Sequence, residues 1–116
     1  MVRVPAERFE ALTAEALDGL PAWVHERLDN VEIVIEDWPP RDQPGLLGLY
    51  EGVPLTKRGD HYFGVVPDRI TLFAGPIQSI SPDEEGLVRE VRHVVVHEVA
   101  HFFGISDDRL REMDRY

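Results

Sequence analysis

The feature that most constrains the fold of this chain is a run of histidine and acidic residues near its carboxyl end. The run reads H-E-x-x-H-x-x-G-x-x-D, with His97 and His101 as the histidines and Asp107 as the last residue. Residues four apart on a helix share a face, with Cβ atoms about 5–6 Å apart. The pattern therefore predicts a helix through both histidines, a stop at Gly104 with positive φ, and a turn that brings Asp107 back.

The segment that precedes this run carries the signals of a long helix. Ser81, Pro82 and Glu84 match a capping box with proline in the first helical position. We therefore predict a helix from Pro82 to Phe103, with Ser81 as its N-cap. Four apolar side chains at helical spacing should face a core: Leu87, Val91, Val95 and Phe102.

The rest of the chain predicts a small α+β domain that spans residues 1–116. The expected architecture is an N-terminal helix, a small mixed sheet of three to four strands, the long motif helix and a short C-terminal helix. Helices are predicted over 5–18, 21–28 and from Ser106 to near Tyr116, strands over 31–36, 46–50, 62–66 and 69–73, and a hairpin tip over 57–60. Trp23, Trp38 and Met113 are expected to pack in the core or at its edge.

Composition excludes several classes of partner. The 116 residues carry 12 basic and 22 acidic side chains, a net charge of −10, and no cysteine. Such acidity argues against binding nucleic acid or anionic membranes, which need basic surface, and the lack of cysteine excludes disulfides and thiolate ligands. No apolar run reaches the ~18 residues of a membrane span. The first residues lack a signal-peptide pattern, so a cytoplasmic protein is expected.

The spacing of the motif indicates a zinc site. A catalytic zinc takes three protein ligands and leaves the fourth position to water, and His97 and His101 supply two. The few residues that follow His101 leave little room for a glutamate ligand on a later helix. Asp107, three residues after the Gly104 turn, is therefore the expected third ligand to one zinc ion per chain, with Asp108 as its competitor.

Glu98 has a predicted catalytic role, whereas His93, His61 and Tyr62 have weaker claims to the site. Glu98 should lean over the open side of the metal and act as general base in the hydrolysis of peptide or amide bonds. His93 shares the stripe of the motif histidines but lies about 12 Å from His101 along the helix axis, which suits the wall of a cleft better than a ligand. His61 and Tyr62 could stabilise an oxyanion, although a turn residue and a strand residue are the simpler interpretation.

The segment from His97 to Asp107 resembles the extended motif of metzincin-type zinc peptidases, in the variant with an aspartate as third ligand. Over most of its length, including L-L-G-L-Y-E-G and the V-V-V before the motif, the chain resembles the small bacterial single-domain zincin-like proteins known as minimal metallopeptidases. The resemblance implies a zincin fold, zinc held by His97, His101 and Asp107, and Glu98 as catalytic base.

The same resemblance bears on the substrate cleft. Metzincins carry a C-terminal subdomain with a methionine turn, which we expect to be absent here. A peptide or protein substrate would then be held mainly by an edge strand, either Leu46–Gly52 or Tyr62–Val66, as an added strand, or a protein partner would complete the cleft.

Three functions are consistent with the sequence. The first is a zinc metalloprotease, the second a zinc-binding binding or regulatory module of the same fold with little or no turnover, and the third a helix with a coincidental motif and no metal. Glu98 favours the enzyme, because a purely structural site does not need it. Substrate identity and oligomeric state are not predicted.

Overall fold

The computed structural model describes residues 2–57 and 67–113. Within these ranges the elements are α1 (Ala6–Asp18), α2 (Ala22–Arg27), β1 (Val31–Glu36), β2 (Gly48–Glu51), a 3₁₀ turn (Leu55–Lys57), β3 (Asp68–Phe73), α3 (Ala74–Ser79), α4 (Glu84–Phe102) and α5 (Asp107–Met113). The predicted α+β class is confirmed. The predicted strand at 62–66, most of the hairpin tip, His61, Tyr62 and the side chain of Met113 lie outside the described residues.

The sheet has the strand order β1-β3-β2. Strands β1 and β3 are parallel, with Val31 opposite Asp68, whereas β2 is antiparallel to β3, with Gly48 opposite Leu72. Within the described part of the chain β2 is therefore an outer strand. Its position matters because α4, which carries the motif, packs against it.

The core lies between the sheet and the helices α1 and α4. Ile70 and Leu72 of the central strand β3 are buried, and Phe9 and Leu12 of α1 close the other side. The four side chains predicted for the core face of α4 are all fully or almost fully buried: Leu87, Val91, Val95 and Phe102. None of the helices in the described ranges is long and apolar enough to cross a membrane.

The start of α4 differs from the prediction. The helix begins at Glu84, and its N-cap is Asp83, whose Oδ1 accepts a hydrogen bond of 2.7 Å from the N–H of Gly86. Ser81 is not the cap, because its buried hydroxyl donates to the carbonyl of Ile77 at 2.7 Å and so belongs to the end of α3. The prediction was wrong because the sequence pattern gave no signal for α3, and a carbonyl of α3 takes the hydrogen bond of the Ser81 hydroxyl.

Both tryptophans lie at the surface, contrary to the expectation that they pack in the core or at its edge. Trp23 is 61% exposed and Trp38 is 59% exposed. The Trp23 ring packs on Phe103 with ring centroids 5.5 Å apart, and the Trp38 ring lies over the backbone of Gly75. Other side chains, Phe9 and Phe102 among them, occupy the space between sheet and helices, and the short helix α2 buries only Val24.

Candidate metal centre

The two motif histidines converge on one carboxylate oxygen. His97 and His101 lie on the last turns of α4, with ring centroids 4.7 Å apart and an interplanar angle of 83°. The Nε2 atoms of both rings are 3.0 Å from Oδ1 of Asp107. Three ligand atoms of the kind that zinc prefers, two imidazole nitrogens and one carboxylate oxygen, are thus brought to one point.

The turn after α4 explains how Asp107 reaches this point. Gly104 has φ +87°, a conformation that suits glycine, and its N–H bonds to the carbonyl of His101 at 2.9 Å. The N–H of Ile105 bonds to the carbonyl of Ala100 at 3.0 Å, which completes the helix ending. The chain reverses there, and α5 starts at Asp107.

The structure distinguishes the two aspartates that compete on sequence grounds. Asp107 faces both histidines, whereas the carboxylate of Asp108 pairs with Arg111 one turn further along α5. Ser106 begins this helix, because its hydroxyl oxygen accepts a hydrogen bond of 3.2 Å from the N–H of Arg109. The first residue of α5 is therefore the one that is turned back toward α4.

The hydrogen bond on the far side of His101 leaves its other ring nitrogen available to a cation. Nδ1 of His101 donates to the carbonyl of Ile105 at 2.9 Å, since a carbonyl can only accept. In the neutral ring the proton is then on Nδ1, and Nε2 presents a lone pair to the Asp107 carboxylate 3.0 Å away. Two lone pairs at that distance repel, so the arrangement needs a proton or a metal ion between them. Such a bond behind a histidine is typical of metal ligands.

The distances agree with that interpretation. Zinc bonds of about 2.0–2.1 Å in tetrahedral geometry hold neighbouring donor atoms roughly 3.3 Å apart. The observed separations of 3.0 Å from each histidine nitrogen to Asp107 are close to this value. A small outward movement of the exposed Asp107 side chain would therefore accommodate the ion, and the residues present fit zinc.

Glu98 lies beside this centre and is buried, with only 6% of its surface exposed. Burial raises its pKa to about 7, and the charge of Asp107 adds to the increase. His101 and a hydrogen bond from the backbone N–H of Tyr50 act in the opposite direction. The ligand atoms of His97, Glu98 and His101 all lie within 4.8 Å of one another, so this group could also hold a metal ion.

Two residues of β2 take part in the site, although sequence reasoning did not single them out. A Cβ atom on Gly48 would lie 2.7 Å from Cγ1 of Val94 and 3.0 Å from Cγ of Glu98. Tyr50 supplies the backbone N–H to Glu98, while its hydroxyl donates to Asp68 at 2.7 Å. The one available signal was a glycine inside a strand pattern, which often marks close approach of another group.

An open cleft of about 620 Å³ runs along the candidate centre. One wall is residues 45–50, the other is the outer face of α4, and residues 104–107 form one end. His93 is exposed on this wall, with its ring centroid 6.3 Å from that of His97, and it is not one of the converging ligands.

Comparisons with known proteins agree with the fold. No curated protein sequence matches the chain significantly. A conserved hypothetical protein from Thermus thermophilus has a similar structure, with a TM-score of 0.59 and 24% sequence identity over 84% of this chain and 92% of that one. The model of the family described as zincin-like metallopeptidase matches residues 28–116. The matched region includes every element of the sheet and the whole candidate centre, and the chain belongs to the zincin-like metallopeptidase family.

Proposed function

We propose that the protein is a zinc-dependent peptide hydrolase in which His97, His101 and Asp107 bind the metal and Glu98 is the general base. The observation that carries this proposal is the position of one Asp107 oxygen 3.0 Å from both histidine nitrogens, beside a buried glutamate. A purely structural zinc site would be closed by a fourth protein ligand, whereas this group opens on a cleft.

The third ligand is assigned to Asp107 rather than Glu98 on geometric grounds. The Glu98 carboxylate already accepts a hydrogen bond from the N–H of Tyr50 on β2. Asp107 is exposed and makes both short contacts through a single oxygen. This division of roles leaves Glu98 unligated and free to move a proton.

Zinc bound at this position would polarise the substrate carbonyl and acidify a water molecule. Glu98 would accept the proton that the attacking water loses and return it to the leaving amine nitrogen. Burial raises the pKa of Glu98 above that of an ordinary glutamate, which strengthens the carboxylate as a proton acceptor. His101 is held in one orientation by its bond to Ile105 throughout.

The substrate we propose is a peptide or protein that binds along β2. The N–H and C=O groups of Gly48 point away from β3, because Phe73 pairs with the adjacent Leu47. An extended peptide could therefore add to this edge as a further strand. The walls of the cleft are apolar at this level, with Leu46 and Leu49 half-buried in them.

The decisive experiment compares wild type with Glu98→Gln on a mixed-peptide library, with zinc content measured for both. We expect cleavage by wild type, a decrease of about 10²–10⁴-fold in kcat for the variant, and about one zinc per chain in each. Glutamine keeps the size of the side chain and can still accept the Tyr50 bond, so the fold should be unaffected.

Two other results would redirect the proposal. Zinc bound by both proteins with no cleavage by either would indicate a metal-stabilised binding module. Absence of zinc from wild type, even after the ion is supplied, would exclude both metal-dependent functions.

A further inference from the structure

We propose that Gly48 is a positioning residue, because the missing side chain at 48 lets the Glu98 carboxylate lie against the main chain of β2. This inference deepens the proposed function and rests on it only in treating Glu98 as the general base. It concerns how the carboxylate is held before any substrate arrives.

The first observation is the closeness of β2 and α4. Gly48 is buried, and a Cβ atom on it would lie 3.0 Å from Cγ and 3.2 Å from Oε2 of Glu98. The same atom would lie 2.7 Å from Cγ1 of Val94, closer than real Cβ atoms approach other groups. The backbone of β2 thus approaches α4 more closely than a residue with a side chain would allow.

The second observation is the direction of the main chain. The N–H of Phe73 bonds to the carbonyl of Leu47 at 2.9 Å, so these two residues form a hydrogen-bonded pair. Hydrogen-bonded and non-hydrogen-bonded pairs alternate along an antiparallel ladder. In this register Gly48 with Leu72, and Tyr50 with Ile70, are therefore non-hydrogen-bonded pairs, whose main-chain groups point away from the partner strand. The N–H of Tyr50 therefore points away from β3, where it donates to Glu98.

The third observation is that this donor is held from two sides. The Tyr50 hydroxyl donates a hydrogen bond of 2.7 Å to the buried carboxylate of Asp68, which is the first residue of β3. The Tyr50 ring packs edge-on against Phe102, the residue after His101, with centroids 6.1 Å apart. The Tyr50 N–H is consequently set in place relative to both the sheet and the metal-binding turn of α4.

These contacts predict what a methyl group at position 48 would do. Val94 is packed in the core and has little freedom to move, whereas the end of the Glu98 side chain borders the cleft. The Cβ would therefore push β2 away from Val94 and turn the Glu98 carboxylate toward the cleft, and both movements break the Tyr50 hydrogen bond. The nearest atoms to a Cβ at 48 belong to Val94 and Glu98 and not to the metal ligands, so the ligands should keep their places.

The direct test is the amide proton resonance of Tyr50 in metal-free protein, followed by NMR. A hydrogen bond to a carboxylate moves an amide proton downfield and slows its exchange. We expect Gly48→Ala to move this resonance upfield, to the position seen in Glu98→Ala, and to speed its exchange. A resonance that stays at its wild-type position in a folded Gly48→Ala protein would overturn the proposal.

A kinetic test separates positioning from a packing defect. Val94→Ala removes the Cγ1 atom that a new Cβ would strike, but leaves the conflict with Glu98. Relative to Val94→Ala, the double variant with Gly48→Ala should lose about 10–100-fold in kcat, with KM changed less than about twofold and zinc content unchanged. Equal kcat in the single and double variants would show that Gly48 serves packing alone.

The NMR test and the kinetic test together separate a failure of this inference from a failure of the proposed function. If wild type cleaves no peptide, the enzymatic function fails, while the Tyr50 resonance still decides whether Gly48 positions Glu98. If Gly48→Ala does not fold, the resonance is compared in the double variant with Val94→Ala, where the same upfield shift relative to Val94→Ala is expected.

Discussion

Nδ1 of His101 donates a hydrogen bond of 2.9 Å to the backbone carbonyl of Ile105, which lies one turn beyond it after the helix has ended. The bond joins one candidate metal ligand to the turn that carries another, Asp107. It fixes both the orientation of the ring and the nitrogen that bears the proton. The chain reversal at Gly104 therefore has two effects, because it also presents Asp107.

The assignment of ligands predicts the zinc content of four variants. His97→Ala and Asp107→Asn should bind zinc at least 10-fold more weakly, because each removes one of three donor atoms. His93→Ala and Asp108→Asn should retain about one zinc per chain, since His93 is on the cleft wall and Asp108 pairs with Arg111. Competition with a chelator, read by elemental analysis, measures the difference. An empty site in His93→Ala alone would refute the assignment.

The buried position of Glu98 predicts a pH dependence for the stability of the metal-free protein. Because the folded-state pKa is raised from 4.5 to about 7, the unfolded chain loses this proton at lower pH than the folded one. The free energy of unfolding should therefore fall as pH rises from about 4.5 to 7, by on the order of 2–3 kcal/mol from this group. Urea titrations of wild type and Glu98→Gln across this range give the contribution as a difference, and a constant difference would contradict it.

Gly104→Ala should destabilise the protein and weaken zinc binding together. Gly104 has φ +87°, and a Cβ there would clash with Oγ1 of Thr56. The unfavourable backbone alone costs about 1–2 kcal/mol, and any relaxation displaces Asp107. Gly45→Ala is the matched control, because a Cβ at Gly45 meets nothing within 4 Å. Thermal unfolding and zinc titration of both variants test this, and equal effects would argue against a special role for the turn.

The revised start of α4 can be tested by substitution at Asp83. Asp83→Ala should cost about 0.5–2 kcal/mol of unfolding free energy, as expected for loss of an N-cap. Asp83→Asn should cost clearly less, because the amide oxygen can accept the same bond from Gly86. Chemical denaturation resolves the two. Equal losses would mean that the charge, rather than the cap, is what stabilises this end of the helix.

The elements predicted well are those whose signals are local. Strand β1 has the predicted bounds, Val31–Glu36, because its run of β-branched residues is flanked by turn formers. The core face of α4 follows from 3.6-residue spacing, and Leu87 and Val91 are fully buried as predicted. Gly104 ends the motif helix because few other residues adopt its backbone conformation at low cost.

Other features escaped prediction because they depend on contacts between distant segments. Ser81 has every mark of an N-cap, yet the unpredicted helix α3 takes its hydroxyl, and Asp83 replaces it. Gly48 lies inside the strand predicted over 46–50, and only in the folded chain does it allow β2 to approach Glu98. Trp23 was expected in the core or at its edge, but it is 61% exposed and its ring packs on Phe103.

The sequence by itself determined which side chains are available to the site. These are two histidines on one helical face, a glutamate between them and an aspartate beyond a glycine turn. These depend on helix periodicity and backbone sterics, which act over a few residues. Only the tertiary structure decided that Asp107 rather than Asp108 faces both histidines, and that Glu98 is buried against the Tyr50 N–H. Those outcomes depend on how β2 and α5 pack on α4. This packing joins segments that are far apart in the sequence, so local sequence patterns do not reveal it.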